Sequence, residues 1–139
     1  MDVFSLKIIS PEAILLEDHV TMAVVPGLEG DLGLLPHHAP LITPLRSGLI
    51  QTYHEKIKDQ LFILSGFLDV NAQGCTILAE ECVFIHDLNK DTLERHLQEV
   101  MEDIDMSRSE KERLNYIHTS HIIKAKLHVL EQIWKNVTT

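Results

Sequence analysis

Nine histidines are the side chains in this sequence best suited to chemistry, because imidazole binds metal ions and transfers protons near neutral pH. His118 and His121 stand three residues apart in a predicted helix, a spacing that would let them share a metal ion. No cysteine or carboxylate accompanies them at a typical ligand spacing. His37 and His38 lie between prolines, where a partner contact and turn hydrogen bonds explain them equally well. The sequence therefore predicts solvated helix histidines and no metal site.

An acidic pair, Glu29 and Asp31, flanks Gly30 and is the other arrangement that could do chemistry. Catalytic carboxylates work with a nucleophile or a base nearby, and none lies close to them in this sequence. The chain also lacks the phosphate-binding GxxxxGK(S/T) motif, the GxSxG nucleophile elbow and the HExxH zinc motif. The pair fits an exposed acidic turn. The sequence predicts a chain that is not an enzyme by itself and has no cofactor.

Composition limits the remaining function classes. The formal net charge is −9, whereas nucleic-acid binding requires a basic surface. No apolar run reaches the roughly 18 residues of a membrane span, and the N-terminus lacks the features of a signal peptide. We therefore expect a cytoplasmic protein that begins at or near Met1. Cys75 and Cys82 are too far apart for a CxxC motif, which predicts two reduced, apolar cysteines.

Glycine and proline are concentrated in residues 26–48, which hold four of the five prolines and four of the six glycines. Apolar residues continue through this segment, whereas a disordered linker would lose them. Up to about Ile85 the apolar period is two, and strands separated by turns recur about every 8–12 residues. Residues 1–86 are thus predicted to form an antiparallel β-sandwich or flattened barrel made of short buried strands. No helical pattern lies between the strands, which disfavours a parallel βαβ fold.

From residue 87 the apolar period changes to 3.6, and residues 87–139 are predicted to form an antiparallel two-helix hairpin. Asp91 followed by Glu94 predicts an aspartate cap at the start of the first helix. Residues 106–109 separate the helices, and the second begins at Glu110. Its apolar stripe includes Tyr116, Ile123, Leu127, Leu130 and Trp134. A hairpin of this size has little core of its own, so the stripe packs either on the β domain or on another protein.

Residues 25–50 carry a resemblance to a known family. They read VPGLEGDLGLLPHHAPLITPLRSGLI, which resembles the signature of the epsilon subunit of bacterial F-type ATP synthase. The opening strand at residues 6–12, the apolar strand pair at residues 62–70 and the strand at residues 77–80 resemble the same family. The match covers nearly the whole chain, and the helical half is the weaker part of it.

The resemblance implies a non-catalytic rotor subunit that couples the c ring to the gamma subunit in proton-driven ATP synthesis. Glu29, Gly30 and Asp31 match the turn that faces the c ring. A second segment matches the region that packs on gamma, namely His38, Ala39, Pro40, Leu41 and Ile42. The family's hairpin either folds onto the β domain or extends along gamma into the alpha/beta catalytic head, where it inhibits ATP hydrolysis. The complex would hold the chain at the cytoplasmic face of the bacterial inner membrane, as a peripheral subunit.

Two departures from the family concern the hairpin. Some members bind ATP through a Leu-Asp-x-x-Arg-Ala pattern, whereas residues 88–93 here read LNKDTL. The charge partner for the nucleotide is missing, which predicts no tight ATP binding. The second helix is also bulkier than the alanine-rich helix of many relatives, which leaves its folded packing open. A free-standing β-sandwich that binds a small ligand remains the alternative function, and purification with or without gamma distinguishes the two.

Overall fold

The computed structural model describes residues 2–138, with side chains described through Asn136. Met1 and Thr139, at the outer ends of the two predicted domain ranges, lie outside the described residues. The chain divides into two compact units, one ending at Ile85 and the other starting at His86. This division falls one residue before the boundary expected from the change of apolar period.

The first unit consists of β-strands whose side chains alternate between the interior and the surface. In the first strand, Leu6 and Ile8 are fully buried, while Lys7 between them is partly exposed. This alternation follows from the extended backbone, which turns successive side chains to opposite faces. The ten strands are β1 (Phe4–Ile9), β2 (Ile14–Val20), β3 (Met22–Gly27), β4 (Gly30–Leu34), β5 (Leu41–Leu45), β6 (Gly48–His54), β7 (Lys56–Ile63), β8 (Gly66–Asn71), β9 (Gly74–Ala79) and β10 (Cys82–Phe84).

The strands form one curled sheet in the order β10-β7-β6-β3-β5-β8-β9-β1-β2, with β4 paired to β3 outside this path. Among the described strands the neighbours run antiparallel, apart from β1 and β9, which run parallel. The predicted β-sandwich followed by two helices is therefore confirmed. The parallel pair was not predicted, because it joins strands that are distant in sequence and leaves the apolar period of two unchanged.

The curled sheet encloses an aliphatic core. Burying a side chain of this kind stabilises a fold by roughly 1.5–3 kcal/mol, so the core accounts for the compactness of the first unit. The buried Thr52 is compatible with this interior because its Oγ1 accepts a hydrogen bond from the Asp59 N–H at 3.1 Å. The fully buried core residues are Leu6, Ile8, Val20, Ala23, Val25, Leu34, Ile50, Leu61, Ile63, Leu68 and Ile77.

The segment rich in glycine and proline forms short strands and tight turns, as predicted. Pro44 lies inside β5, which pairs with β8 along one edge and meets β3 only at its last residue. A proline is tolerated there because its missing N–H falls on the largely unpaired edge. At the β3–β4 turn, Gly30 has φ 141°, and a Cβ on Gly27 would lie 2.7 Å from the Gly30 carbonyl oxygen. Both turn positions therefore require glycine.

The second unit is a pair of packed helices, α1 (Lys90–Met106) and α2 (Glu110–Thr138), preceded by a 3₁₀ turn at Ile85–Asp87. Val100 of α1 and Ile123 and Val129 of α2 are buried. Since α2 has 29 residues and α1 has 17, the second helix is longer by about 18 Å at the α-helical rise per residue. Its C-terminal turns therefore extend past the start of α1.

The predicted aspartate cap of α1 was wrong. Asn89 is the N-cap, with extended backbone at φ −124° and ψ 120°, and its side-chain oxygen accepts a hydrogen bond from the Thr92 N–H at 2.9 Å. Asp91 lies in the first turn of the helix instead. Asparagine caps a helix about as well as aspartate, so the pairing of Asp91 with an acidic residue three positions later did not mark the helix start.

Candidate functional site

A row of apolar side chains crosses the outer face of the β unit. Strand pairing aligns one residue from each of five neighbouring strands, in the order Ile14, Ile9, Leu78, Phe67 and Pro44. Ile42 belongs to the same face, because residues two apart in a strand point the same way. We call these six residues the outer apolar row. Phe67 is 56% exposed, Leu78 52% and Ile42 75%. Contiguous exposed apolar surface of this kind marks docking sites on soluble proteins.

The predicted contact residues Leu41 and Ile42 lie on opposite faces of β5. Ile42 is exposed within the outer apolar row, whereas Leu41 is half-buried and packs against the hydrophobic core. A partner on the outer face can therefore reach Ile42 directly. Substitution of Leu41 by a charged residue would disturb the core, so this residue is a poor probe of a docking surface.

The remaining residues of the predicted contact segment form the approach to β5. His38 is half-buried, and its Nδ1 donates a hydrogen bond to the Ala39 carbonyl oxygen at 2.7 Å, while Ala39 and Pro40 are exposed. His37 adopts a left-handed backbone with φ 67°. The segment leads through Leu41 into the exposed Ile42.

The predicted acidic turn forms the tip of the β3–β4 hairpin and lies beside the β5–β6 connection. Arg46 Nη2 donates a hydrogen bond to Asp31 Oδ1 at 2.7 Å, and the Arg46 N–H donates to the Pro26 carbonyl oxygen at 2.9 Å. Leu28 is 60% exposed, and Glu29 is also on the surface. We call residues 28–31 and 46–47 the loop edge. The loop edge presents the apolar Leu28 side chain and the Glu29 carboxylate, and it contains the Asp31–Arg46 ion pair.

The apolar stripe predicted on α2 is not uniformly buried. Ile123 is buried, Tyr116, Leu127 and Leu130 are half-buried, and Trp134 is 68% exposed. A groove of about 790 Å³ lies where α2 extends past α1. Its lining residues are Leu88, Lys90, Glu94, Leu127, Leu130, Glu131, Ile133 and Trp134. The stripe is therefore partly a helix–helix contact and partly open apolar surface.

The two cysteine thiols are buried. Burial raises the pKa of the Cys82 thiol to about 12, and burial together with the Asp69 charge raises the pKa of Cys75 to about 11. Both cysteines are free thiols in the buried interior of the β unit, where they pack as small apolar residues. Within the part of the chain that the structure describes, no group of three or more His, Cys, Asp or Glu side chains could hold a metal ion. No helix in that part is both long and apolar enough to span a membrane.

Three surface residues were missed by sequence reasoning: Phe67, Leu78 and Arg46. Phe67 falls in the stretch from Leu61 to Val70, which is apolar at consecutive positions, a pattern typical of a strand buried on both faces. The structure instead buries Leu68 and leaves Phe67 on the outer face. A strand with apolar residues on both faces, in a sheet that buries only one face, was the available signal for a docking surface. Arg46 gave no signal, because its contact with Asp31 depends on the approach of two separate loops.

Comparison with known proteins agrees with this architecture. The family model described as ATP synthase, Delta/Epsilon chain, beta-sandwich domain matches residues 3–85. The chain belongs to the ATP synthase epsilon chain family. The ATP synthase epsilon chain of Maricaulis maris is 39% identical over 112 residues, which cover 81% of this chain and 84% of the relative. That of Rhodospirillum rubrum is 34% identical over 122 residues, covering 87% and 91%.

Solved structures share the fold over most of the chain. A chain of the Euglena gracilis mitochondrial ATP synthase (OSCP/F1/c-ring, rotational state 1) superposes with a TM-score of 0.72 at 24% identity, covering 95% of this chain and 81% of the other. A chain of the Tetrahymena thermophila mitochondrial ATP synthase central stalk/c-ring superposes with a TM-score of 0.61 at 12% identity, covering 94% and 95%. The matched family domain contains both the outer apolar row and the loop edge.

Proposed function

We propose that this chain is a non-catalytic rotor subunit of a bacterial F-type ATP synthase. In this role it couples the c ring to the gamma subunit during proton-driven ATP synthesis, and its hairpin inhibits ATP hydrolysis. The chain would lie at the cytoplasmic face of the inner membrane, held there by its partners. Its contribution is surface complementarity, since the bonds of ATP are made and broken elsewhere in the complex.

The observation that carries the proposal is the outer apolar row. Its central members, Phe67 and Leu78, are more than half exposed and sit side by side on paired strands. Leaving such side chains in water forgoes part of the free energy that burial would supply. Docking of gamma on this face recovers that free energy, and Ile42 connects the row with the segment from His38 to Pro40.

The loop edge supports contact with the c ring. It lies at the tip of a hairpin, and its exposed Leu28 and Glu29 are presented on a turn with two required glycines. A hairpin tip that presents an acidic side chain on a restricted backbone can contact the polar loops that repeat around the c ring. The two surfaces together give one rigid unit two different docking sites, which is what coupling between a ring and a shaft requires.

The hairpin supports regulation through movement. Trp134 is 68% exposed at the end of α2, beside the groove formed with the start of α1. The helices bury few side chains between them, so the hairpin depends on additional contacts for stability. Two sets of contacts that differ by a few kcal/mol would make it a switch. Transient contact with the alpha/beta head would be one of them.

A free-standing small-ligand-binding sandwich gains less support. The interior of the β unit is filled by large aliphatic side chains such as Leu61, Ile63 and Ile77. A ligand-binding sandwich would need to open this interior, whereas a docking subunit needs only its exposed faces. The structure therefore favours a surface function over an internal site.

Binding of gamma by two matched variants tests the proposal. Phe67→Glu places a charge in the outer apolar row, and Ile57→Glu places the same charge at a similarly exposed apolar position of β7, where Ile57 is 52% exposed. We expect Phe67→Glu to weaken gamma binding roughly thirtyfold or more, the effect of losing a central interface residue. Ile57→Glu should bind like the wild-type chain. Equal binding by both variants would reject the outer apolar row as the gamma site.

A further inference from the structure

The carboxylate of Asp31 is already engaged within the chain. Arg46 Nη2 donates to Asp31 Oδ1 at 2.7 Å, and the two side chains are 43% and 63% exposed. Arg46 comes from the β5–β6 connection, fifteen residues further along the chain. Asp31 and Arg46 therefore join two loops, and their opposite charges largely cancel at the surface.

The backbone around this pair is closely fitted. The Arg46 N–H donates to the Pro26 carbonyl oxygen at 2.9 Å. A Cβ on Gly48 would lie 2.9 Å from the Pro26 Cβ and 3.1 Å from Arg46 Nη1. The β5–β6 connection therefore packs against the end of β3, where Pro26 pairs with Asp31. The Arg46 side chain is held there by its contact with Asp31 and by a hydrogen bond from Nη1 to the Ser47 carbonyl oxygen at 3.4 Å.

Glu29 differs from Asp31 in this respect. Its carboxylate makes no ion pair or hydrogen bond with any other side chain that the structure describes, and it lies on the surface next to Leu28, which is 60% exposed. We infer that Arg46 is a positioning residue that binds Asp31 and so leaves Glu29 and Leu28 as the groups that contact a partner. The fitting partner chemistry is a short loop with a cationic side chain beside a small apolar one.

This inference rests on the proposed function, because the partner it addresses is the polar loop of the c ring. The residues of the loop edge have two different roles. Asp31 and Arg46 fix the shape of the tip, and Glu29 supplies the attraction. Exposed ion pairs contribute little to folding stability because solvent screens them, so exchanging these two charged residues should leave the chain folded.

A charge swap separates the two roles of Asp31. Asp31→Arg alone places two guanidinium groups side by side and should weaken binding to the gamma–c-ring subcomplex of the same organism. Adding Arg46→Asp restores an ion pair of reversed direction and with it the shape of the tip, so we expect binding within about twofold of wild type. If Asp31 instead contacts a cation on the ring, the double variant stays as weak as Asp31→Arg, which would overturn the inference.

Salt dependence identifies the carboxylate that meets the partner. Screening weakens exposed charge contacts, so wild-type affinity should fall as salt rises. Glu29→Gln should abolish most of that dependence, whereas Asp31→Asn and Arg46→Gln should retain it. Retention in Glu29→Gln together with loss in Asp31→Asn would reverse the assignment and overturn the inference.

Two controls separate the possible failures. Binding of gamma alone uses the outer apolar row and should be unchanged in every loop-edge variant, which shows that each is folded. A wild-type chain that fails to bind the gamma–c-ring subcomplex would overturn the proposed function and the partner named here. If the wild-type chain binds the gamma–c-ring subcomplex normally but Asp31→Arg with Arg46→Asp does not recover binding, only the positioning role of Arg46 is overturned.

Discussion

Asp18 of β2 and Lys58 of β7 form an ion pair between strands that lie near opposite ends of the sheet order. The pair therefore joins the two ends of the curled sheet. Lys58 donates a hydrogen bond to the Asp18 carboxylate, and this bond holds the pKa of Asp18 below its ordinary value of 3.8. The same hydrogen bond raises the pKa of Lys58 above 10.5.

The Asp18–Lys58 pair predicts a pH-dependent part of the stability. A carboxylate with a lowered pKa in the folded state stabilises the fold above its unfolded pKa, and this stabilisation is lost as pH falls through the folded-state value. The raised Lys58 pKa adds stabilisation that is present below 10.5 and is lost as pH rises past the folded-state value. The ion pair therefore stabilises the fold at pH values between the folded-state pKa of Asp18 and that of Lys58, which include neutral pH.

Lys58→Gln should lower the melting temperature at pH 7, and the effect should shrink as pH falls through the lowered pKa of Asp18, below which the carboxylate is protonated in both states. Thermal unfolding followed by circular dichroism across this pH range measures the difference. Lys56→Gln is the matched control on the same strand and should not show this pH dependence. A difference between wild type and Lys58→Gln that is constant with pH would contradict the account.

The cap of α1 gives a prediction confined to the hairpin. Asn89→Ala removes the acceptor of the Thr92 N–H and should destabilise the helix by about 1 kcal/mol, the usual cost of losing an N-cap. Asp91→Ala should cost less, because that residue only adds a charge in the first turn. Amide hydrogen exchange in residues 90–94 measures both effects. A larger effect from Asp91→Ala would restore aspartate as the cap.

The buried thiols should resist modification. Since burial raises the pKa of Cys75 to about 11 and of Cys82 to about 12, almost no thiolate exists at pH 8 in the folded chain. A colorimetric disulfide reagent should titrate no thiols in the native protein. It should titrate two once guanidinium has unfolded the chain. Rapid reaction of either cysteine under native conditions would show that the β unit opens readily.

Removal of the hairpin should leave a folded β unit. The members of the hydrophobic core all lie before residue 86, so a fragment of residues 1–85 should unfold cooperatively and give a β-type circular dichroism spectrum. It should also bind gamma and leave ATP hydrolysis by the complex uninhibited. A peptide of residues 86–139 should be only partly helical alone. An unfolded 1–85 fragment would show that the two units depend on each other.

The sequence was sufficient for the elements whose signals are local. The period of two predicted the strands, and the change to 3.6 predicted the helices. The strands are separated by short turns as predicted, such as Asn71–Gly74 between β8 and β9. Glu110 begins α2 as predicted, with the Ser109 side chain accepting a hydrogen bond from the Glu112 N–H at 3.1 Å. These features depend on residues within a few positions of one another.

Features that depend on distant strands could not be predicted. The parallel pairing of β1 with β9, and the alignment of Ile9, Leu78 and Phe67 across three strands, arise from the sheet order. The Arg46–Asp31 contact likewise requires two loops to meet. Apolar period specifies which residues share a face of one strand, and it carries no information about which strand lies beside it.

Reconstituted ATP synthesis is the most direct test of coupling through this subunit. A complex depleted of the chain should synthesise ATP poorly under an imposed proton gradient, and addition of the wild-type chain or of Ile57→Glu should restore synthesis. Phe67→Glu at the same concentration should fail to restore it. Full synthesis by the depleted complex, or full restoration by Phe67→Glu, would contradict the claim that this subunit couples the ring to the shaft through its outer apolar row.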